Sequence, residues 1–334
     1  MQSILHPIIG PPGPEKKDMS GQTAIITGGA TGIGLAIARA FSQYGARVIM
    51  LNRKEDQGDR AIEDIKNECK EKGLPVPDIN WRGVDLSDFK QTKEVFSALA
   101  REEARLDILV LSSGINANQF RLGASGLDGH MSVNAFGHFL AINQLYPLMR
   151  KTSKLANAPA PRIVFESSEM HRFAPSNVHF GSVEEINDET IDPTQLYGRT
   201  KLAMILYTKG LLEKVIKPNN DNIYVLSVHP GAVNTEMQNQ WTEAYPGVVG
   251  SAIKAVSVGF SRDPEQGSYS ALYAALSDEV IEKNFNGYYL IDPGKEGKES
   301  KQGSDKWLIA ALWDLSHRVI KEKVGQDAFV DWSS

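Results

Sequence analysis

Tyr197 and Lys201 are the residues whose types and spacing most directly suggest chemistry. They are four positions apart in Tyr197-Gly198-Arg199-Thr200-Lys201, at the start of a predicted helix, so their side chains share a helix face. An ammonium group beside a phenol favours the phenolate, and we expect it to lower the pKa of Tyr197 from about 10. The phenol could then act as an acid or a base near neutral pH. Because Tyr-x-x-x-Lys also occurs in helices by chance, the pair needs support from other motifs.

A glycine-rich turn, Thr27-Gly-Gly-Ala-Thr-Gly-Ile-Gly34, lies between a predicted strand and a predicted helix. Glycines let the backbone turn tightly and approach a pyrophosphate, and the helix N-terminus offers free N–H groups. A plain tight turn is the alternative, but the position between strand and helix favours a dinucleotide site. We expect the following residues to bind the cofactor: Gly28, Thr31, Gly32, Ile33 and Gly34.

The second predicted strand ends in Asn52-Arg53-Lys54. A carboxylate at this place accepts from the ribose 2′-hydroxyl of NAD and repels the 2′-phosphate of NADP. Here an amide is followed by two cations, which suit a phosphate. We therefore expect NADP(H), bound by Asn52, Arg53 and Lys54, although Lys54 could equally be the first residue of a solvated helix.

These motifs belong to a chain in which strands and helices alternate. Strands are predicted at 23–27, 47–51, 79–84, 106–111, 162–165, 223–228 and 288–291, with helices at 34–44, 54–72 and 88–104. Runs such as Ile108–Leu111 are apolar without alternation, as in strands buried on both faces. The pattern predicts an α/β fold: a single doubly wound parallel sheet of Rossmann type, with helices on both faces and ligands at the carboxyl ends of the strands.

The chain divides into three predicted parts. Residues 1–20 are expected to form a surface arm, residues 21–292 the dinucleotide-binding and catalytic domain, and residues 293–334 a C-terminal helical extension. A lid over the substrate is expected at about 235–262. The extension carries one amphipathic helix whose apolar face is expected to pack on the domain; it comprises Leu308, Leu312, Leu315 and Val319.

Composition limits the classes of function. The net charge of −5 argues against nucleic-acid binding, and no apolar run is long enough to span a membrane. The single cysteine, Cys69, excludes an internal disulfide, and we interpret it as an incidental thiol on a helix surface. No His, Cys, Asp or Glu cluster has metal-ligand spacing. We expect a cytoplasmic protein without a metal.

Three further motifs occur in an order that makes Gln22 to Ile291 resemble the short-chain dehydrogenase/reductase family, which also uses the spacing Gly-x-x-x-Gly-x-Gly. A strand ending in Ser167-Ser168 precedes the Tyr-Lys pair, Asn134 lies in Val133-Asn-Ala-Phe-Gly-His-Phe139, and His229-Pro-Gly-Ala-Val-Asn-Thr235 follows the sixth strand. The sequence looks nearest to the retinol-dehydrogenase-like and WW-domain-oxidoreductase-like branch.

The resemblance implies a role for each of these residues. Ser168 would hold the substrate oxygen, Tyr197 would transfer a proton, Lys201 would bind the nicotinamide ribose, and Asn134 would position a relay water. Asp85 would contact the adenine, although an N-cap role beside Ser87 is the alternative. The resemblance adds these cofactor contacts to those above: Asp85, Leu86, Ser112, Gly114, Tyr197, Lys201, Pro230, Gly231, Val233 and Thr235.

The sequence departs from the family pattern in two places. The fourth strand ends in Leu111-Ser112-Ser113-Gly114, where the family has Asn-Asn-Ala-Gly, and the lost first Asn puts the rigidity of this strand end in question. The segment Arg172–Pro193 is an insertion between Ser168 and Tyr197 that we expect to cap the pocket entrance. Three residues that flank the serine pair could supply a second acid or base, but we interpret them as solvated loop residues: Glu166, Glu169 and His171.

Together these features predict an NADP-dependent oxidoreductase that moves a hydride between nicotinamide and a carbonyl or alcohol carbon. Trp241, in an aromatic stretch of the lid, is expected to contact an apolar substrate together with Ser168 and Tyr197. A catalytically idle NADP-binding regulator, or a relative that catalyses dehydration or epimerisation, is the alternative. A homodimer or a homotetramer is the oligomeric state considered.

Overall fold

A mostly parallel sheet organises the molecule. The computed structural model describes residues 11, 13–117, 119–233 and 262–334, and these form an eight-stranded sheet in the order β3-β2-β1-β4-β5-β6-β7-β8. The strands are β1 (Thr23–Thr27), β2 (Arg47–Asn52), β3 (Ile79–Gly83), β4 (Ile108–Leu111), β5 (Arg162–Glu166), β6 (Tyr224–Val228), β7 (Tyr289–Asp292) and β8 (Lys295–Glu296). This confirms the predicted doubly wound sheet. The short β8, antiparallel to β7, was not predicted.

The register of the central strands places the predicted site at one edge of the sheet. Thr27 at the end of β1 pairs with Leu51 of β2 on one side and with Leu111 of β4 on the other. Phe165 of β5 lies beside Leu111. The glycine turn, the end of β2 and the serine pair therefore leave the sheet at neighbouring carboxyl ends, where doubly wound sheets bind ligands.

Helices cover both faces of the sheet. Those that bear on the site are α1 (Gly32–Gln43), α2 (Glu55–Glu71), α3 (Phe89–Glu102), α4 (Gly137–Thr152), α5 (Pro193–Leu211), α6 (Pro264–Leu276) and α7 (Lys306–Val324). Aspartates fix several starts: Asp88 accepts from two backbone N–H groups of α3, and Asp192 caps α5 ahead of Pro193. None of the helices that the structure describes is long and apolar enough to cross a bilayer.

The last helix, α7, packs its apolar stripe on the domain. Leu308, Leu312, Leu315 and Val319 are all buried in one core together with residues of α4 and α5. The Tyr207 hydroxyl of α5 lies 2.6 Å from the Ser316 hydroxyl, and the ring of Phe139 stacks on Tyr207 at 5.0 Å. Tyr207 is therefore a core residue.

The interpretation of Cys69 as a surface thiol was wrong. Cys69 is 1% exposed and lies in the same buried stripe of α2 as Ala61 and Ile65. The three residues recur every four positions, so they share the helix face that packs on the sheet. Met19, near the end of the predicted surface arm, is also fully buried.

Candidate active site

The glycine turn is closed so tightly that side chains are excluded. Gly28 has a φ of +70°, and a β-carbon there would lie 3.0 Å from the Cα of Ser113. A β-carbon at Gly34 would lie 2.2 Å from the Gly28 carbonyl oxygen. Thr31, the residue before α1, makes no side-chain capping bond, and the first turn of α1 contains no acidic residue. The first N–H groups of α1 are thus left for an anion, which fits a pyrophosphate.

The end of β2 offers an acceptor next to a cation. The Asn52 amide nitrogen donates to the Lys54 carbonyl at 2.7 Å, while Asn52 Oδ1 is buried and has no partner among the described residues. An acceptor without a donor suits a ribose hydroxyl. The Arg53 side chain is 68% exposed, and its Nη1 lies 3.8 Å from Asp85 Oδ2. Asp85 also accepts from the Ser87 N–H and hydroxyl, but Asp88 caps the helix that follows, so the alternative N-cap role of Asp85 is wrong.

The end of β4 is held by a network that the sequence did not reveal. Thr27 Oγ1 accepts from the N–H groups of Ser112 and Ser113, each at 3.1 Å, and lies 3.0 Å from His138 Nε2. Burial lowers the pKa of His138 to about 4, so the ring is neutral near pH 7. Its Nδ1–H then donates to the Asn134 carbonyl at 3.1 Å, and Nε2 accepts from Thr27. These bonds hold the strand end where the family's first Asn is absent.

Asn134 links the loop after β4 to α5. It lies in a π-helical turn, Ser132–Phe136, directly before α4. Its Oδ1 accepts from the Ile115 N–H at 2.8 Å, and its Nδ2 donates to the Ile115 carbonyl at 2.9 Å and to Thr200 Oγ1 at 3.1 Å. Both amide hydrogens are therefore used. A relay water at Asn134, which stays a prediction, would have to bind its backbone carbonyl, which His138 shares.

The serine pair and the Tyr-Lys pair are brought together by α5 and β5. Ser167 Oγ donates to the Lys201 carbonyl at 2.8 Å, and Lys201 Nζ donates to the Glu166 carbonyl at 2.7 Å. Lys201 Nζ lies 5.4 Å from the centroid of the Tyr197 ring. Ser168 Oγ accepts from the Met170 N–H at 3.2 Å, and its hydroxyl hydrogen has no acceptor among the described residues. Of the two serines, Ser168 is the one with a hydrogen left to donate.

Known proteins with this arrangement identify the family. The model of the short chain dehydrogenase family matches residues 22–177. A Neurospora crassa protein named oxidoreductase bli-4, mitochondrial, is 32% identical to this chain, covering 92% of it and 73% of the relative. The chain belongs to the short-chain dehydrogenase family. This confirms the resemblance seen in the sequence.

Two further proteins resemble this short-chain dehydrogenase, one in sequence and one in fold. Retinol dehydrogenase 14 of Homo sapiens is 29% identical over 90% of this chain and 87% of its own length, in line with the retinol-dehydrogenase-like character of the motifs. A crystal structure of a short chain dehydrogenase from Burkholderia cenocepacia in complex with NADP shares the fold, with a TM-score of 0.60 and 21% identity. The match covers 84% of this chain and 99% of that one.

Burial changes the acid-base behaviour expected of this short-chain dehydrogenase. Tyr197 is 9% exposed, and its pKa is raised, first by burial and then by the charge of Glu166. The expectation that Lys201 holds the phenol pKa below its usual value was therefore wrong for the protein without cofactor. Burial also lowers the pKa of Lys201, against the effect of Glu166. Burial therefore favours the protonated phenol of Tyr197 and disfavours the ammonium form of Lys201.

Two residues interpreted as solvated are buried. Glu166 is 5% exposed and His171 is not exposed at all. His171 Nδ1 donates to the Ser168 carbonyl at 2.7 Å, and its Nε2 accepts from the Ser300 N–H at 3.0 Å. The ring thus links the loop that carries Ser168 to the segment after β8. The bond to Ser300, which is distant in the chain, accounts for the burial of His171.

The insertion is attached to α5 through Arg199. This guanidinium donates to the carbonyls of Glu185 at 2.9 Å and Ile186 at 2.8 Å, and to Asp128 Oδ2 at 3.3 Å. A β-carbon at Gly198 would lie 2.8 Å from the Met170 carbonyl oxygen, so α5 also packs closely on the turn after Ser168. The proposed cap over the pocket entrance stays a prediction.

Val233, after β6, lies next to Arg262, which is far from it in the sequence. Val233 pairs with Arg262 in a parallel bridge, and Arg262 Nη1 donates to the Pro230 carbonyl at 3.1 Å. Arg262 also forms an ion pair with Asp292 at 2.7 Å, and Gly231 has a φ of +87° beside it. Thr235 and Trp241 lie outside the described residues, as does nearly all of the expected lid.

The structure also describes the surroundings of Leu86 and Gly114, two residues that were predicted to contact the cofactor. Leu86 is buried, and a β-carbon at Gly137 would lie 2.3 Å from its carbonyl oxygen, so α4 starts directly against it. A β-carbon at Gly114 would lie 3.5 Å from Asn134 Oδ1, so this glycine lies directly beside Asn134. Within the described ranges no three His, Cys, Asp or Glu side chains are arranged to hold a metal ion.

Proposed function

We propose that the protein is an NADP-dependent oxidoreductase that transfers a hydride between nicotinamide and a carbonyl or alcohol carbon of an apolar molecule. The observation that carries the proposal is the bonding of Lys201 to Glu166 and Ser167, the two residues directly before Ser168. Lys201 Nζ also lies 5.4 Å from the Tyr197 ring, at the sheet edge that carries the glycine turn. A bound nicotinamide supplies the hydride. The chain's own residues then orient the carbonyl and supply or remove one proton.

Each residue has one task in this proposal. The free hydroxyl hydrogen of Ser168 bonds the substrate oxygen, and the buried phenol of Tyr197 donates a proton to it in the direction of reduction. The Lys201 ammonium lies close enough to Tyr197 to stabilise the phenolate that remains after the proton is donated. The Glu166 carbonyl holds Lys201 in place. Oxidation reverses these steps.

The preference for NADP depends on the end of β2. Asn52 Oδ1 is an acceptor for a ribose hydroxyl, and the exposed guanidinium of Arg53 stands beside it as the group that suits a 2′-phosphate. A protein of the same fold binds NADP. The name of retinol dehydrogenase 14 supports an apolar alcohol or aldehyde as substrate class. The cytoplasmic location and the oligomeric state stay predictions.

Replacement of Tyr197 by Phe tests the proposal. The substitution removes the acid and keeps the ring, so turnover of a carbonyl panel should fall by about 10²–10⁴-fold while NADPH affinity is unchanged. The measurement is NADPH oxidation followed by absorbance, with cofactor binding measured separately. More than a tenth of the wild-type activity in Tyr197→Phe would remove Tyr197 from the chemistry. A wild-type protein that binds NADPH and turns over no carbonyl would favour the regulatory alternative.

A further inference from the structure

Glu166 is a buried carboxyl group at the centre of the site. It is the last residue of β5, directly before the serine pair, and 5% of it is exposed. Neither carboxyl oxygen has a hydrogen-bond partner among the described residues. A buried carboxylate without partners is costly, so such a group is either protonated or placed there for its effect on neighbouring charges.

The neighbours of Glu166 are the groups that do the proposed chemistry. Lys201 Nζ bonds the Glu166 backbone carbonyl at 2.7 Å, and the charge of the Glu166 carboxylate acts on both Lys201 and Tyr197 of α5. Other titratable groups near this end of the sheet have different partners. His138 of α4 bonds Thr27 and Asn134. Burial lowers the pKa of His229 after β6, and the charges of Glu169 and Arg262 act on it in opposite directions.

We propose that Glu166 is a titrating residue of the active site whose charge sets the protonation states of Lys201 and Tyr197, and thus the pH range of turnover. It acts through these two residues and is therefore a positioning residue for charge. The proposal builds on the proposed function, because it concerns the same proton transfer. It does not require Glu166 to touch the substrate.

The direction of the effect follows from the charges. Ionised Glu166 favours the ammonium form of Lys201 and disfavours the phenolate form of Tyr197, since opposite charges attract and like charges repel. Burial raises the pKa of Glu166 to about 8, with Lys201 opposing the increase. The carboxyl therefore gains its charge in the pH range in which the site would work.

The first test reads Glu166 directly and needs neither cofactor nor turnover. In protein with ¹³C-labelled Glu side chains, one carboxyl resonance should titrate with a midpoint near 8 and should be missing in Glu166→Gln. Glu184→Gln is the matched control, since it removes the same charge from a carboxylate that is fully exposed to solvent. Its spectrum should keep the resonance that titrates near 8. If all Glu resonances titrate in the usual acidic range, the proposal is wrong.

The second test measures turnover against pH. Loss of the Glu166 charge makes the Tyr197 phenolate easier to form, so the acidic limb of alcohol oxidation should move down by about one pH unit, the lower end for a nearby charge. Glu166→Asp, which keeps an ionisable group, should move it less. Glu71→Gln, which removes an exposed carboxylate at the end of α2, should leave it in place. An unchanged profile in Glu166→Gln would overturn the proposal, whereas failure of the proposed function would show in Tyr197→Phe.

Discussion

Arg199 and Lys201 are two buried cations two residues apart on α5, and their surroundings differ. Arg199 is not exposed and bonds Asp128 and two carbonyls. Asp128, also buried, accepts in addition from the Met131 N–H at 3.0 Å and lies 3.2 Å from His130 Nδ1. Among the described residues, Lys201 Nζ has one hydrogen bond, to the backbone carbonyl of Glu166, and the carboxyl group of Glu166 has none.

The difference separates a group that holds the fold from a group that can change its charge. A buried ion pair in which both partners make several further hydrogen bonds favours the ionised forms and fixes geometry. A buried cation and a carboxyl that do not bond each other are each shifted toward their neutral forms, so either can exchange protons with a ligand or solvent. One face of α5 anchors the insertion, and the other faces the proposed chemistry.

Arg199→Met should give the largest loss of stability. It leaves Asp128 charged and buried without its cation, which costs about 3–5 kcal/mol. Lys201→Met is the matched variant, because it removes a cation that has no carboxylate bonded to it. It should lower turnover strongly and leave the unfolding midpoint in urea near the wild-type value.

A double-mutant cycle sharpens this prediction. Asp128→Asn keeps a cap for Met131 and removes the charge, so Asp128→Asn/Arg199→Met should recover part of the stability lost in Arg199→Met. Additive losses in denaturant unfolding would show that the two residues are not coupled, and the contrast with Lys201 would then disappear.

The two serines should also differ: replacement of Ser168 should mainly lower turnover, and replacement of Ser167 should mainly lower stability. Ser168→Ala should lower turnover by about 10²–10³-fold, the range for loss of one donor to a developing oxyanion. Ser167→Ala removes the bond to the Lys201 carbonyl and should cost about 1 kcal/mol of stability with a smaller loss of turnover. Turnover and urea midpoints of both variants, measured side by side, give the ranking. The reverse ranking would mean that Ser167 is the serine that faces the substrate.

The pH dependence of stability provides a third comparison. The raised pKa of Glu166 gives a contribution to stability that is full below the pKa of an unfolded Glu, about 4.3. That contribution is lost as the pH rises through about 8. The melting temperature of the wild type should therefore fall relative to that of Glu166→Gln as the pH increases over this range, while Glu184→Gln follows the wild type. Parallel curves for wild type and Glu166→Gln would show that Glu166 ionises normally.

Arg53→Ala should have the smallest effect, because this cation is exposed. A charged hydrogen bond contributes about 1.5–3 kcal/mol, and exposure favours the lower end, about tenfold in affinity for NADPH. NADH affinity should not change, and Asn52→Asp added to Arg53→Ala should reverse the preference. The ratio of the two dissociation constants at fixed salt is the measurement. Equal wild-type affinities for NADH and NADPH would contradict the assignment of NADP.

The sequence pattern was enough to predict the strands and helices of this molecule, but not the burial of its ionisable side chains. The alternation of strands and helices indicated the sheet. The helix predicted to open at Tyr197 begins four residues earlier, at Pro193 after its Asp192 cap. The burial of Glu166 and His171 could not be predicted, because it depends on elements far away in the chain. That of Cys69 follows from its four-residue spacing with Ala61 and Ile65. A polar residue after a strand looks solvated until its neighbours in space are known.

The same reasoning explains why β8 and His138 were missed. β8 has two residues, too few for any period, and it exists through pairing with β7. His138 stands four residues after Asn134, a spacing that could have suggested a contact within the helix. Its bond to Thr27 crosses from α4 to β1, which no spacing indicates.

Because Val233 and Arg262 pair with each other, the segment between them should be exchangeable. Val233 and Arg262, the described residues on either side of 234–261, pair with each other, and Arg262 bonds Pro230 and Asp292. An exchange of this segment changes the chain between two ends that already meet, and loop length has only a weak effect on closure entropy. Segments from relatives should therefore be transplantable as cassettes, so that recognition of new molecules can be selected while the proton-transfer residues stay as they are.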